Sequence, residues 1–425
     1  MRVAICNGLI VDPASGVERL GDVFIDNDRI VAVGSGPAGF RADRQIDARG
    51  LIVAPGFVDL AARLREPGFE YKATLASELQ AAVAGGVTTL VCPPDTDPPL
   101  DEPGLVEMLT RRAMNLSLAH VHPLGALTAK LEGERLAEMT VLAEAGCVAF
   151  SQGDVPLVDT SLMWRALQYA ATFKYAVWLR PQDSFLAKNG VAHDGEVATR
   201  LGLPGIPTIA ETIALATILR LVRESHARVH ICRVSCAESV ELIRAAKRDG
   251  LKITCDVGVH HLHFTDADIG YFDSHFHVVP PFRTQRDREA LCVGLADGTI
   301  DALCSDHTPV DEDAKQIPFG ESEAGATGLE LLLPLTLKWA RAAKLPMHRA
   351  LATITCAPAR VLGIDAGSIS AGARADLCVF DPEAKACITP QSLRSQGKNT
   401  PFLGQELAGV VRYTLVNGAT VYSGS

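Results

Sequence analysis

The sequence predicts an α/β protein: a (β/α)8 TIM-type barrel carrying a small β-sandwich built from both chain termini. Three observations lead there. Between residue 56 and about residue 360, eight apolar strand-like runs alternate with helical stretches rich in Ala, Leu and Glu, and eight strand–helix units in series point to a closed parallel barrel. Both ends of the chain instead alternate short β-like runs with turn signals. The length, 425 residues, holds a barrel of roughly 250 residues and a second, smaller domain.

Taken in order, VAICNGLIV, DVFID and RIVAVG read as strands, with Asn27-Asp28 as a hairpin turn. The eight barrel runs are 56–64, 87–93, 116–122, 146–151, 175–180, 228–233, 251–257 and 300–306, separated by stretches such as TLASELQAAVAGG and AESVELIRAAKRDG. After about residue 360 the β texture returns in SISAGARADLCVFDP and GVVRYTLVNGATVYSG, where Asn417-Gly418 marks a second hairpin. Neither terminal piece carries enough apolar surface to stand alone, so residues 1–55 and 360–425 are expected to form one discontinuous domain beside a barrel of residues 56–359. Segment 310–327, VDEDAKQIPFGESEAGAT, is polar and follows the eighth run, where barrel enzymes place mobile active-site loops.

With 40 Lys and Arg against 50 Asp and Glu, a net charge of −10 and no basic run longer than two, the chain is not expected to bind nucleic acid or an anionic membrane. The opening MRVAICNGLIVDP is broken by Asn7, Gly8 and Asp12 and reads as neither signal peptide nor anchor, so a cytoplasmic location is expected. The 11 cysteines are scattered without a CxxC pair, as in a reducing compartment, and predict neither disulfides nor a Cys-ligated zinc.

Chemistry in this fold occurs at the carboxyl ends of the strands. The residues ending the eight runs are Ala61, Arg63 and Arg65; Asp95; His120 and His122; Gln152 and Asp154; Arg180, Gln182 and Asp183; Arg233 and Ser235; His260 and His261; and Asp306 and His307. Four arginines face four aspartates, and such charges in a half-buried mouth must be paired or solvated.

Ordered motifs spread over nearly the whole chain, among them APGFVDL-(x)3-LREPG, GGVTTL, PLGALTAKLEGERLAEM, GLPGIPTIAE, VHHLHFTD, VPPFR, DGTIDALCSDHTP and SQGKNTPFLGQELAGVVRYTLVNGATVY. In these the chain resembles the dihydroorotases of the amidohydrolase superfamily. The resemblance implies the same barrel and β-sandwich, and closure or hydrolysis of a cyclic amide at one or two zinc ions.

The departures fall on the metal site. The family's first strand ends D-L-H-x-H-L-R, where this chain reads Asp59-Leu60-Ala61-Ala62-Arg63-Leu64-Arg65. The position of the bridging carboxylate falls at Gln152, and the histidines after strands five and six fall at Arg180 and Arg233. Only Asp306, in the family the ligand and general base, is retained. An arginine has no lone pair to give a cation and repels one, so Arg63, Arg180 and Arg233 are expected to form a charge network with Asp154 and Asp306 in place of metal. Arg65 matches the family's carboxylate-binding arginine, but its Asn partner is Asp95 here and its second contact is Val310. Asp306 and Arg65 therefore stand as vestigial catalytic and substrate-binding residues.

What the resemblance implies for function is a metal-free, non-catalytic subunit of pyrimidine biosynthesis that supports aspartate carbamoyltransferase by binding its catalytic chain, with homo-oligomers expected and no cofactor. The alternative is an active dihydroorotase or related cyclic amide hydrolase whose zinc site is rebuilt from His120, His122, His260 and Asp306.

Overall fold

A computed structural model describes residues 1–424. Its strands, in chain order, are β1 (Arg2–Asp12), β2 (Val17–Asp26), β3 (Arg29–Val33), β4 (Arg44–Asp47), β5 (Ile52–Pro55), β6 (Phe57–Asp59), β7 (Val87–Cys92), β8 (His120–Ala126) and β9 (Ala149–Ser151). They continue as β10 (Ala176–Leu179), β11 (Ala192–His193), β12 (Gly205–Ile206), β13 (Arg228–Ile231), β14 (Ile253–Gly258), β15 (Ala302–Cys304), β16 (Leu377–Cys387), β17 (Glu406–Val416) and β18 (Ala419–Ser423).

Eight of these, β6 to β10 and β13 to β15, pair in parallel in the order expected of a barrel. Closure is made just past the strand ends, where His307 N donates to the Ala61 carbonyl (3.0 Å) and Arg63 N to the His307 carbonyl (2.9 Å). Asp59 strengthens the seam by accepting the Ser305 amide at 2.7 Å. Inside the barrel, Val58, Val91, Leu124, Ala149, Ala176, Trp178, Ala302 and Cys304 form one apolar cluster, so the lumen is a packed core and the chemistry must sit above it.

Three of the outer helices begin at a side-chain cap. Thr74 closes a capping box with Ser77 before Leu75–Ala84, Asp159 caps Thr160–Phe173, and Thr284 pairs with Asp287 before Gln285–Asp297.

The terminal strands form one continuous sheet, ordered β18-β17-β16-β5-β1-β2-β3, with β4 alongside β1. Antiparallel pairing of β16 with β5, Leu377 opposite Pro55, joins the two ends of the chain, and Val3, Ile5, Ile10, Val23, Leu377 and Leu415 share its core. Both anticipated hairpins are present, with Asn27 and Asn417 at φ 57° and 49°. No helix among the described residues is long and apolar enough to cross a membrane.

One strand differs from its expected register. The third barrel run was placed at 116–122, whereas the helix Pro103–Leu116 ends at Ser117 in the left-handed region and β8 starts only at His120. The apolar residues before His120 close the helix and do not extend the strand. His120 and His122 therefore lie at the floor of the barrel, and His120 Nε2 is 3.2 Å from Asp376 at the junction with the terminal sheet.

Candidate functional site at the barrel mouth

Three arginines and three aspartates from six different strand ends meet above the lumen. Arg63, 5% exposed, donates through Nε to Asp95 Oδ2 (2.8 Å), through Nη2 to Asp154 Oδ2 (2.5 Å) and through Nη1 to Thr308 Oγ1 (2.9 Å). Arg180 donates through Nε to Asp154 Oδ1 (2.9 Å), through Nη2 to the Asp154 carbonyl (2.8 Å) and through Nη1 to Gln182. Arg233 spans Asp154 Oδ1 (2.5 Å) and Asp306 Oδ1 (3.0 Å). Asp306 lies 3.7 Å from Arg63 Nη1.

The cluster is neutral as a whole, and Asp154 is its hub. Burial works to raise the Asp154 carboxyl, but Arg233, Arg63 and Arg180 outweigh it and hold the group far below the usual carboxylate range. At Asp306 the balance reverses: burial raises the carboxyl, and Arg233 and Arg63 only partly oppose it. Arg65, Arg233 and Asp306 all sit at positive φ, 61°, 54° and 47°, a conformation that non-glycine residues keep only where surrounding contacts enforce it.

The network expected among Arg63, Arg180, Arg233, Asp154 and Asp306 is thus assembled, with Asp95 as a sixth member. The sequence counts Asp95 among the four aspartates of the mouth and matches it to a substrate contact, without assigning it to the network. The signal that could have placed it was the charge count, since three arginines need three carboxylates and Asp183 is engaged elsewhere, accepting the amides of Phe185 and Leu186.

Other mouth residues serve the loops. Gln152 accepts from Thr128 Oγ1 at 2.9 Å and donates to the Leu131 carbonyl at 2.8 Å, so it faces the loop after β8 and not the cluster. Arg65 donates through Nε to the Pro309 carbonyl at 2.9 Å and lies 3.9 Å from Glu323. Glu323 also pairs with Lys72. Val310 is buried, with its amide on Asn399 Oδ1 at 3.0 Å.

Segment 310–327, which follows the eighth strand where barrel enzymes place mobile loops, is tied down on both sides. Lys315 Nζ donates to the carbonyls of Ser274 (2.9 Å) and His277 (3.1 Å), His277 Nδ1 meets Ser322 Oγ at 2.9 Å, and Asn399 Nδ2 holds the carbonyls of Thr308 and Gly325. Beneath it lies a cavity of about 280 Å³ lined by Asp154, Arg180, Gln182, His260, Asp306 and Thr308.

His260 and His261 are buried and held neutral, both pulled down to about 4, chiefly by burial. An imidazole depressed in the folded state takes its proton only on unfolding between pH 6.5 and about 4, so its contribution to stability is lost as pH falls through that window. His261 Nε2 is 3.0 Å from the Pro280 carbonyl. His261→Gln keeps a donor there, and the slope of unfolding free energy against pH, from urea midpoints at pH 7, 6 and 5, is expected to flatten by about 1 kcal/mol per pH unit on average. An unchanged slope contradicts the assignment.

The donor set at the mouth does not fit a metal ion. Its carboxylates are each bound by guanidinium, and positions 63, 180 and 233 offer no lone pair. His120 and His122, placed with His260 and Asp306 in the rebuilt zinc site, open β8 at the far end of the barrel, about 20 and 13 Å from its mouth end at 3.3 Å per residue. Among the described residues one group of three donors lies close enough to share an ion, His230, Cys232 and Asp256, below the mouth. There His230 is engaged on both nitrogens, by Thr254 and Asp256, Arg233 N occupies Asp256 Oδ1, and burial holds the Cys232 thiol protonated.

Two family descriptions match the chain: dihydro-orotase-like over residues 50–239 and the amidohydrolase family over residues 187–421. A dihydroorotase-like protein of Pseudomonas putida is 44% identical over 418 residues, 98% of each chain. A dihydroorotase of Geobacter sp. (strain M21) is 39% identical over 422 residues, 99% of each. Among solved structures, the L-hydantoinase (dihydropyrimidinase) of Arthrobacter aurescens superposes with a TM-score of 0.89 at 24% identity, covering 99% of this chain and 96% of that one, a likeness of fold.

Proposed function

The chain belongs to the amidohydrolase family and, within it, to the dihydroorotase-like proteins, and on that premise we propose that its work is non-catalytic. It is a dihydroorotase-like subunit of pyrimidine biosynthesis that binds the catalytic chain of aspartate carbamoyltransferase and supports its assembly and activity, associating also with further copies of itself. One observation carries this reading: Arg63, Arg180 and Arg233, at positions the resemblance assigns to zinc ligands, are bound to Asp95, Asp154 and Asp306, so the carboxylates of the mouth are neutralised by guanidinium. A cyclic amide hydrolase needs a polarised carbonyl and an activated water there, and the residues present supply neither.

The family's substrate is also unwelcome at this mouth. Arg65 is spent on Pro309 and Glu323. Asp95 and Val310 stand where the family uses groups that receive a carboxylate, and an aspartate facing an anion costs about 1 kcal/mol or more in a partly desolvated site.

The test has two arms. Incubated with carbamoyl aspartate and added zinc, the purified chain is expected to give no ring closure above background, and mass spectrometry is expected to find well under one zinc per chain. Zinc-dependent turnover abolished by Asp306→Ala would return the chain to the hydrolases. In the second arm, the transcarbamoylase chain is expected to co-purify with this one and to lose activity without it. A transcarbamoylase fully active alone sinks the scaffold role.

A further inference from the structure

A groove on the outside of the barrel shares no lining residue with the arginine cluster. It lies between the helices Gln285–Asp297 and Leu332–Ala342 and encloses about 880 Å³, within the range of small-molecule sites. Its floor is apolar, from Leu262, Cys292, Val293, Ala296, Trp339 and Leu345. Val293 is left 59% exposed, a β-branched side chain open to water with a concave apolar surface beside it.

One feature makes this more than a gap between helices. Arg288, Lys338 and Arg349 line the groove, and among the described residues none of them has a carboxylate partner. Their hydrogen bonds go to neutral acceptors: Arg288 Nη1 to the His263 carbonyl (3.3 Å), Lys338 Nζ to Gln405 Oε1 (3.3 Å) and Arg349 Nη2 to the Ala296 carbonyl (2.7 Å). The two acids of the groove are engaged elsewhere, Asp297 by Arg244 at 2.9 Å and Glu289 by Gln285 at 2.5 Å.

We propose that this groove binds an amphipathic organic anion, an apolar body with a carboxylate or phosphate head. The body covers Val293, Leu262 and Ala296, and the head sits among Arg288, Lys338 and Arg349. The inference is independent of the non-catalytic reading, since it uses no residue of the mouth.

Calorimetric titration of the full chain with dodecanoate and dodecyl phosphate, below their micellar concentrations, tests it against dodecanol and dodecyltrimethylammonium. One anion per chain is expected to bind at least tenfold more tightly than the alcohol or the cation, and the tighter of the two anions identifies the head group. Arg288→Ala and Lys338→Ala, both changes to side chains that reach solvent, are each expected to weaken it about tenfold. No binding of either anion, equal affinity for dodecanol, or affinity untouched by both cation variants overturns the proposal.

Discussion

Asp154→Asn is expected to lower the unfolding free energy by about 2–4 kcal/mol, the cost of leaving buried like charges without their counter-ion. The side chain is nearly isosteric, so the change tests charge and not packing. In the intact cluster Asp154 takes hydrogen bonds from Arg63, Arg180 and Arg233, and these guanidinium groups are themselves almost fully buried. An amide can accept on one oxygen only, and its NH2 would face a donor, so at least one of the contacts becomes repulsive. The figure lies below the upper end for buried pairs because 34% of the Asp154 side chain faces the cavity, where solvent screens it. Urea denaturation at pH 7 measures the effect. Combining Asp154→Asn with Arg180→Leu removes one of the orphaned cations, and the double variant is expected to cost less than the sum of the singles. A cost under about 0.5 kcal/mol for Asp154→Asn would mean the cluster is not what holds these strand ends together.

The features that make the cluster were legible residue by residue, while its surroundings were not. Strand ends can be read because each barrel strand is a short apolar run stopped by a polar residue, and Arg63, Asp154, Arg180, Arg233 and Asp306 all fall at such stops. The reading failed at His120, where Leu116 and Leu118 continue an apolar pattern across a helix end, and periodicity cannot separate the end of a helix from the start of a strand. It also missed β4 and β5, four residues each, too short for alternation to show. Nothing local announces that Asn399 reaches back to Thr308 and Gly325, or that Gln152 turns toward Leu131. Both depend on contacts that exist only once distant segments are brought together, and they decide whether a polar residue at the mouth serves chemistry or architecture.

Restoring the family's ligands is expected to convert the mouth from one that excludes zinc to one that requires it. The variant carrying Ala61→His, Arg63→His, Gln152→Asp, Arg180→His and Arg233→His removes three buried cations while Asp95, Asp154 and Asp306 stay. Without an ion it holds several carboxylates with no counter-charge, so it should be markedly less stable than the parent. Zinc should recover that stability, because binding confined to the folded state adds to the folding free energy. Arg63→His alone should not suffice: Arg180 and Arg233 remain within reach of Asp154 and compete with any cation for its oxygens. The measurements are zinc per chain by mass spectrometry and the thermal midpoint with and without zinc. At least one zinc per chain in the fivefold variant, a midpoint that rises with zinc, and neither effect in Arg63→His is the expected pattern. A fivefold variant as stable as the parent and still free of zinc would show that the arginines are not what separates this chain from its metal-binding relatives, and that the cause lies in the backbone that sets Arg233 and Asp306 at positive φ.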